Sequence, residues 1–402
     1  AKKEAIIERC LTHQVHVLNV PAVSSWINGE LSFSQIRNIR IEDLLEREPI
    51  QLDLELIRKE LTGKVILVTG GAGSIGSEIV RQLIPFQPKK VIALDQAESA
   101  LYDLELQIQE RYKFHNLETV IADVRQADRM HRVFEAFRPE VIFHAAAYKH
   151  VPVMENNPSE AILTNVHGTR IVADLALEFQ AEKFILISTD KAVNPTNIMG
   201  ATKRIAEIYC QSLEKNTATR FITTRFGNVL DSNGSVIPRF KKQIEDGGPL
   251  TVTHPEITRF FMTIPEACQL VLEAGSSGKG GEIYIFNMGR SVRILDLAKK
   301  MIRLAGLEEG KDIQITFSGL RPGEKIYEEL LADAETTLPT HHNKILIAKV
   351  REYDFKIIEK EIDELIGMFK DQRNDRIVTK MKSIVPEYVS ANSIYSSLDQ
   401  PA

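Results

Sequence analysis

Three cysteines in 402 residues, Cys10, Cys210 and Cys268, are too few and too scattered for a disulfide framework or a zinc site. They read as packing thiols of a reducing compartment. No run of about 18 apolar residues occurs, so nothing in the chain reads as a membrane-spanning helix, and the opening stretch lacks the pattern of a secretory signal. A net charge of −5, with basic residues spread rather than gathered in a stripe, leaves no footprint for nucleic acid. Internal repeats and low-complexity blocks are absent too. What remains is an ordinary globular balance, 43% hydrophobic and 26% charged, long enough for one large domain or two smaller ones.

Residues 1–50 read as a small αβ remnant and connector, with the short apolar runs "VHVLNV" and "IRNIRIEDLL". The first residues, "AKKEAIIERCL", read as a helix already under way at Ala1, which points to a piece of a longer chain. Asp53 is placed to cap a short helix ending near Leu61. From Lys64 the pattern is regular. "KVILVTG", "KKVIALD", "LETVIAD", "EVIFHAA" and "KFILIST" are short apolar runs, and helical stretches separate them. Such runs are strands buried on both faces, and their alternation with helices predicts an α/β fold with a Rossmann-like, doubly wound parallel sheet. We place the domain that carries this sheet at residues 51–225. A smaller, mixed α/β substrate lobe covers 226–340, part of it returning to the first domain. A C-terminal helix, 354–371, and a tail occupy 341–402, and the last dozen residues read as frayed.

"TGGAGSIGSE" follows the first strand and opens a helix. Gly70, Gly73 and Gly76 let the backbone turn tightly and approach a pyrophosphate, towards which the N–H groups of Ser74 and Ile75 would point. Asp95 ends the second strand, 19 residues past Gly76. A carboxylate there accepts hydrogen bonds from the adenosine ribose and repels a 2′-phosphate, which favours NAD over NADP. In "IADVR", Asp123 is placed to accept from the adenine amino group, with the Val124 backbone completing that edge. Cofactors of this kind need no metal, and His341 and His342 in "PTHHNK" read as a polar connector rather than ligands.

The glycine loop, "HAAAYKHVPVME", "STDKAVNPTNIMGATKR", "RFGNVLDSNGSVIPRF", "TRFFMTIPEA" and "RPGEK" occur in that order. Together they resemble the extended short-chain dehydrogenase/reductases. Within these, the chain is similar to the nucleotide-sugar 4,6-dehydratases of bacterial polysaccharide and glycan biosynthesis. The likeness is to the UDP-N-acetylglucosamine 4,6-dehydratases of the larger branch that retains configuration at C5, and it runs from about residue 50 to 340. It implies a natural protein tethered to the bacterial inner membrane, with this chain as its part on the cytoplasmic side. It also implies at least a dimer, paired through helices beside the sheet, one of which carries the catalytic lysine.

The resemblance also implies a reaction in three steps. Hydride leaves sugar C4 for NAD, water is lost across C5 and C6, and hydride returns to C6. Asp190 would protonate the departing 6-hydroxyl and Lys191 would remove the C5 proton. Lys203 would grip the nicotinamide ribose, while Ala145, Ala146 and Tyr148 line the nicotinamide side and Asn165 supports the helix that carries Met199. The family pattern Tyr-x-x-x-Lys is broken here, because Met199 stands where the tyrosine would be and a thioether moves no proton. Asp190 is our candidate for that duty, with a water held by Thr189 as the alternative. Lys149 is a substrate-side cation. Asn228, the backbone amides of Ser235 and Val236, and the forked donors of Arg259 and Arg321 suit a nucleotide diphosphate, and Glu324 suits its ribose. Two other readings compete: a 4-epimerase of the same superfamily, and an inert NAD-binding module made so by Met199.

Overall fold

The alternation that starts at Lys64 folds into one nine-stranded sheet. Its strands are Val65–Thr69 (β1), Lys90–Asp95 (β2), Leu117–Ile121 (β3), Val141–His144 (β4), Lys183–Thr189 (β5), Arg220–Phe226 (β6), Ile283–Phe286 (β7), Thr337–Pro339 (β8) and Ile345–Ala348 (β9). The structure, a computed structural model, describes residues 50–213, 217–329, 337–348 and 351–399, with scattered positions before residue 50. The strand order is β8-β9-β7-β6-β5-β4-β1-β2-β3. From β3 across to β7 the pairs are parallel, and β9 then runs antiparallel to both β7 and β8. The order reverses between β1 and β4, so their C-terminal ends flank the crevice where open α/β sheets bind ligands. The β-branched and aliphatic cores of β1, β2, β4 and β5 are fully buried, as helices on both faces require.

The chain divides into two compact units, a larger one of residues 50–228, 264–290 and 320–402 and a smaller one of residues 1–49, 229–263 and 291–319. The larger unit holds the whole sheet. Its longer helices are Leu54–Leu61 (α1), Ser74–Leu83 (α2), Glu98–Tyr112 (α3), Ala127–Phe137 (α4), a run over 158–178 (α5), Ile198–Leu213 (α6), Ile264–Ser277 (α7), Phe355–Gly367 (α8) and Asn374–Ile384 (α9). As expected, Asp53 caps α1: its Oδ1 accepts from Leu56 N at 3.0 Å. Lys183, buried at the foot of β5, ties α1 to α7. It pairs with Glu60 at 2.7 Å and donates to the last carbonyls of α7, Gly275 O and Ser276 O, where a cation suits the helix dipole.

Two expectations need correction. The tail is not frayed as far as residue 399. Lys382 holds Asp399 and donates to Ser390 Oγ at 2.8 Å, and Val389 N and Ala391 N donate to Pro195 O and Thr196 O, both at 3.1 Å. A polar composition concealed these backbone pairings with a loop nearly two hundred residues away. The helix carrying Lys203 is likewise no free docking face. Helices α8 and α9 pack on α6, and every residue of α6 except Gln211 is buried.

In the smaller unit, helices Val236–Glu245 and Ile294–Leu304 lie by a parallel pair, Leu250–Val252 with Ile315–Phe317. A short antiparallel pair joins Thr258–Arg259 to Val292–Arg293. Of the helix expected at the start of the chain, Ile6, Ile7, Arg9 and Cys10 are described and are helical, while most of the 1–50 remnant lies outside the described residues. Within that segment Leu18–Asn19 pairs antiparallel with Arg37–Asn38.

Candidate active site

The loop after β1 is shaped by what its glycines lack. Gly70 has φ +65°, and a Cβ there would sit 2.7 Å from Ala146 N and 2.8 Å from the Ala145 carbonyl carbon. A Cβ on Gly76 would sit 2.1 Å from Gly70 O. Only glycine lets this loop press against the end of β4 while α2 presses on the loop. Gly73 caps α2 without a side chain, and no acidic residue lies in the first turn that holds Ser74, Ile75 and Gly76, so this helix N-terminus suits an anion. Asp95 holds the loop from the side, its Oδ2 accepting from Ala72 N at 3.1 Å and its Oδ1 from Ala97 N at 3.1 Å. Asp123 is gripped by a group absent from the sequence reading. Arg125 donates to it from Nε, from Nη2 at 2.6 Å and from its own N–H, while its Nη1 reaches Glu160 at 2.9 Å. Burial opposes the Asp123 charge, yet Arg125 outweighs it and lowers the carboxyl's pKa. Val124 turns inward and packs where a Cβ on Gly168 would strike it at 2.7 Å.

The turn after β5 brings together the residues expected to act as acid and base. The Asp190 side chain is 1% exposed. Its Oδ1 accepts from Thr189 Oγ1 at 2.9 Å and from Lys191 Nζ at 3.0 Å. Its Oδ2 is buried with no hydrogen-bond partner among the described residues. A buried carboxylate oxygen left unsatisfied is costly, and such an atom in a native site is a place for a ligand or a proton. Lys191 Nζ also donates to Asn228 Oδ1 at 3.0 Å. Asn228, expected to face substrate, is thus engaged by the lysine. A further carboxylate, Glu328, lies 3.8 Å from Lys191 Nζ.

Helix α6 stands directly on this turn. A Cβ on Gly200 would lie 2.1 Å from Lys191 O. The start of α6 is held by two groups: Asn197 Oδ1 accepts from Gly200 N at 2.7 Å, and Glu155 Oε1 accepts from Ile198 N at 2.6 Å. Glu155 is braced in turn by Ser393 Oγ from the tail, at 2.7 Å. Met199 is 3% exposed and belongs to the main hydrophobic core. Lys203, one turn on, is buried too, and burial pulls its pKa down to about 8 although Glu207 pulls the other way. Asn165 does support this helix. Its Nδ2 donates to Thr202 Oγ1 at 3.0 Å and to Tyr148 O at 3.0 Å, and its Oδ1 accepts from Tyr148 N at 2.8 Å. It sits in a π-helical stretch, Leu163–Gly168, within α5, a distortion often found at functional sites.

His144 lies beneath, unforeseen from the sequence. Its ring bridges Thr69 Oγ1 at 2.8 Å and Thr169 Oγ1 at 2.9 Å. The Thr169 hydroxyl spends its proton on Asn165 O, so His144 Nε2 must donate to it and Nδ1 must accept from Thr69. Burial first, and then Lys203, holds the His144 pKa down at about 3, which keeps the ring neutral.

Lys149 has its pKa lowered by burial, and His150 is lowered by burial, by Lys149 and by Arg321, so three potential cations share one neighbourhood. Arg321 is held by Glu324, whose Oε2 accepts from Arg321 N at 3.1 Å and whose Oε1 accepts from Nη2 at 3.3 Å. In the smaller unit, Ser235 caps the helix that Val236 begins, no acidic residue lies in its first turn, and Ser235 Oγ is buried with no partner among the described residues. Arg259 is buried and donates to Thr258 O at 2.7 Å. His341 pairs with the buried Glu273 at 2.7 Å and His342 reaches Gln51 O at 2.9 Å.

The polysaccharide biosynthesis protein family matches residues 66–350, from the first strand through the last. The chain belongs to this family. It is 49% identical over 374 residues to the capsular polysaccharide biosynthesis protein CapD of Staphylococcus aureus, which covers 92% of this chain and 62% of that protein. Over 281 residues it is 34% identical to UDP-N-acetylglucosamine 4,6-dehydratase (inverting) of Campylobacter jejuni, covering 69% of this chain and 80% of that one. Over 280 residues it is 36% identical to UDP-glucose 4-epimerase of Rickettsia canadensis, covering 68% and 79%. Among solved structures, Pen from Bacillus thuringiensis superposes with a TM-score of 0.67 at 33% identity, over 78% of this chain and 99% of that one. The chain spans 62% and 60% of the length of two curated relatives that match nearly all of it. As a member of the polysaccharide biosynthesis family, the chain thus has nucleotide-sugar dehydratases and epimerases among its relatives. Among the described residues no helix is long and apolar enough to cross a membrane.

Proposed function

We propose that the chain dehydrates a UDP-activated N-acetylhexosamine, UDP-N-acetylglucosamine by preference, to the 4-keto-6-deoxy sugar for bacterial polysaccharide or glycan synthesis. The observation that carries this reading is the Asp190–Lys191 pair at the carboxyl end of β5, with one buried carboxylate oxygen unsatisfied and the lysine fixed by Asn228. An epimerase needs no such pair.

The glycine cradle, the cap-free start of α2 and the Asp95 carboxylate fit NAD. When bound, NAD supplies a reversible hydride site, taking hydride from sugar C4 and giving it back at C6. Asp95 would hold the adenosine ribose, Asp123 and Val124 the adenine edge, and Lys203 the nicotinamide ribose. Ala145, Ala146 and Tyr148 would line the ring.

In this mechanism ionised Asp190 takes the 4-hydroxyl proton as the 4-ketone forms, Thr189 orienting that hydroxyl. The ketone acidifies C5–H, and Lys191 as a free amine removes that proton. Asp190 gives its proton to the 6-hydroxyl, which leaves as water. Lys191 then returns its proton to C5 from the side it came from, so one base on one face retains the configuration. General acid–base help of this kind is worth about 10² to 10⁴ in rate. For the UDP group we assign Lys149, Arg321 and Glu324 of the larger unit. The parent protein would be anchored at the cytoplasmic face of the inner membrane and at least dimeric, with an interface other than α6.

Incubating the chain with NAD and UDP-N-acetylglucosamine, followed by mass spectrometry, tests this. A product lighter by one water supports dehydration. An isobaric product would point to the second reading, a 4-epimerase, which the Rickettsia relative favours. Unchanged substrate would leave an inert module.

A further inference from the structure

Lys191 has to be a neutral amine to take a proton from C5, yet it rests in an ion pair with Asp190. Its own proton needs somewhere to go. Asp190 is committed in the proposed reaction, because it must hold the proton destined for the 6-hydroxyl. The second carboxylate is Glu328, whose side chain is 5% exposed and lies 3.8 Å from Lys191 Nζ.

Its place is set by a whole segment rather than by a chance pairing. Residues 323–329 lie along the loop that follows Lys191. Gly323 O accepts from Thr196 Oγ1 and Asn197 Nδ2, both at 3.1 Å. Lys325 Nζ donates to Val193 O at 3.4 Å, and Glu329 Oε2 accepts from Asn194 Nδ2 at 3.0 Å. A Cβ on Gly323 would meet Asn197 Cβ at 2.5 Å, so the two strands of chain are in close contact. Among the described residues, Asp190 pairs with the lysine from its own turn, and Lys325 and Glu329 neighbour Glu328 on its segment. Lys325 and Glu329 are paired with each other at 3.3 Å. Asn228 faces the lysine as a neutral acceptor.

We propose that Glu328 is the proton partner of Lys191. The Lys191 ammonium gives one N–H proton to the Glu328 carboxylate, and the amine so formed takes the C5 proton. When that proton has gone back to C5, Glu328 returns its own and the ion pair re-forms. No proton enters or leaves, and the site's net charge is unchanged. Glu328 acts through Lys191 and is therefore a positioning residue. The inference rests on the dehydratase reading above.

It carries a signature that a purely structural role lacks. An internal transfer produces the reactive amine without loss of a proton to solvent, so the elimination rate of the parent should be flat across neutral pH. Without Glu328 the proton must leave to water, and the rate should rise about tenfold per pH unit until Lys191 itself titrates. The test is single-turnover product formation by the full chain with NAD and UDP-N-acetylglucosamine, between about pH 6 and 9. Glu328→Gln should be slower by about 10² at neutral pH and should slope upward. Glu328→Asp, which keeps the carboxylate, should be slower but flat. A Glu328→Gln profile parallel to the parent's, whatever its height, overturns the proposal, and so does a sloping Glu328→Asp if the amide variant does not fold. A parent that forms no dehydrated product refutes the dehydratase reading instead, which separates the two failures.

Discussion

Replacing Gly200 by alanine should silence the site while barely disturbing the fold. Gly200 lies in the first turn of α6, where alanine is the better helix former by about 1 kcal/mol. Its Cβ, however, would sit 2.1 Å from Lys191 O. A comfortable carbon–oxygen contact is about 3.3 Å, so roughly 1.2 Å must be found. The helix cannot supply it, because its start is held by Asn197 and Glu155 and its body is buried under α8 and α9. The Asp190–Ala192 turn must give instead. Overpacking of this kind costs about 1–3 kcal/mol, partly offset by the gain in propensity, so the melting point should fall by only a few degrees. The same shift moves Lys191 Nζ away from acceptors it now meets at 3.0 Å. A misplacement of about 1 Å in a catalytic group can lower the rate by about 10². Product formation measured by mass spectrometry, beside a thermal melt, checks both halves. Parental turnover in Gly200→Ala would refute the idea that close contact between α6 and the Lys191 turn sets the site.

The parts of this molecule legible in its sequence are those with local causes. Buried β-branched runs alternating with helices specified the parallel sheet, Asp53 capped its helix, and the glycines marked where the first loop is pressed by its neighbours. The Thr-Asp-Lys turn landed at the end of β5 for the same reason. Long-range partners were not legible, since nothing near a side chain in sequence announces what it will meet. Glu155 reads as one acid in "HVPVME", yet it caps a helix 43 residues on. Ser393 looks like tail and proves to brace that cap. Glu328 lies in the acidic run "EELL" and comes to Lys191 only because Gly323 lets its segment close on the 193–197 loop. Arg125 was within reach of inference, being two residues from the Asp123 it grips. A dinucleotide pattern directs attention to the acid rather than to its clamp.

Four further outcomes follow from the site. Lys203 has its pKa lowered by burial from 10.5 to about 8, so the unfolded chain holds that proton more tightly. Burial therefore costs stability in full below pH 8, about 3 kcal/mol, and the cost fades as pH rises through 8 towards 10.5. Denaturant unfolding should find Lys203→Met more stable than the parent at pH 7 and nearly level near 10.5, and an equal gap at both values would contradict this. Glu207 is fully buried between Arg225, at 2.7 Å, and Arg204, at 3.1 Å. Burial opposes its charge, but the two arginines hold its pKa down at about 2, so its contribution is complete above pH 4.5 and lost as pH falls towards 2. Glu207→Gln should lose about 3–5 kcal/mol at neutral pH by stranding buried guanidinium groups, and a loss under 1 kcal/mol in equilibrium unfolding would count against that network. Asp190→Asn keeps the size and cannot take a proton, so a single turnover should show no NADH absorbance, whereas a normal burst would hand the 4-hydroxyl proton to a water on Thr189. Met199→Tyr asks the same question from the other side. It places a phenol one turn from Lys203, as the Tyr-x-x-x-Lys pattern has it, and a lysine near pKa 8 is suited to easing a phenol's ionisation. But Met199 is 3% exposed inside the core cluster and its carbonyl already accepts from Thr202 Oγ1 at 2.8 Å. A larger, stiffer ring must displace packed neighbours on the helix that stands on the Lys191 turn, at about 1–3 kcal/mol. Activity and melting point should therefore fall together. A several-fold gain in turnover would mean that the site still has room and use for a phenolate, and that Asp190 does not serve both half-reactions.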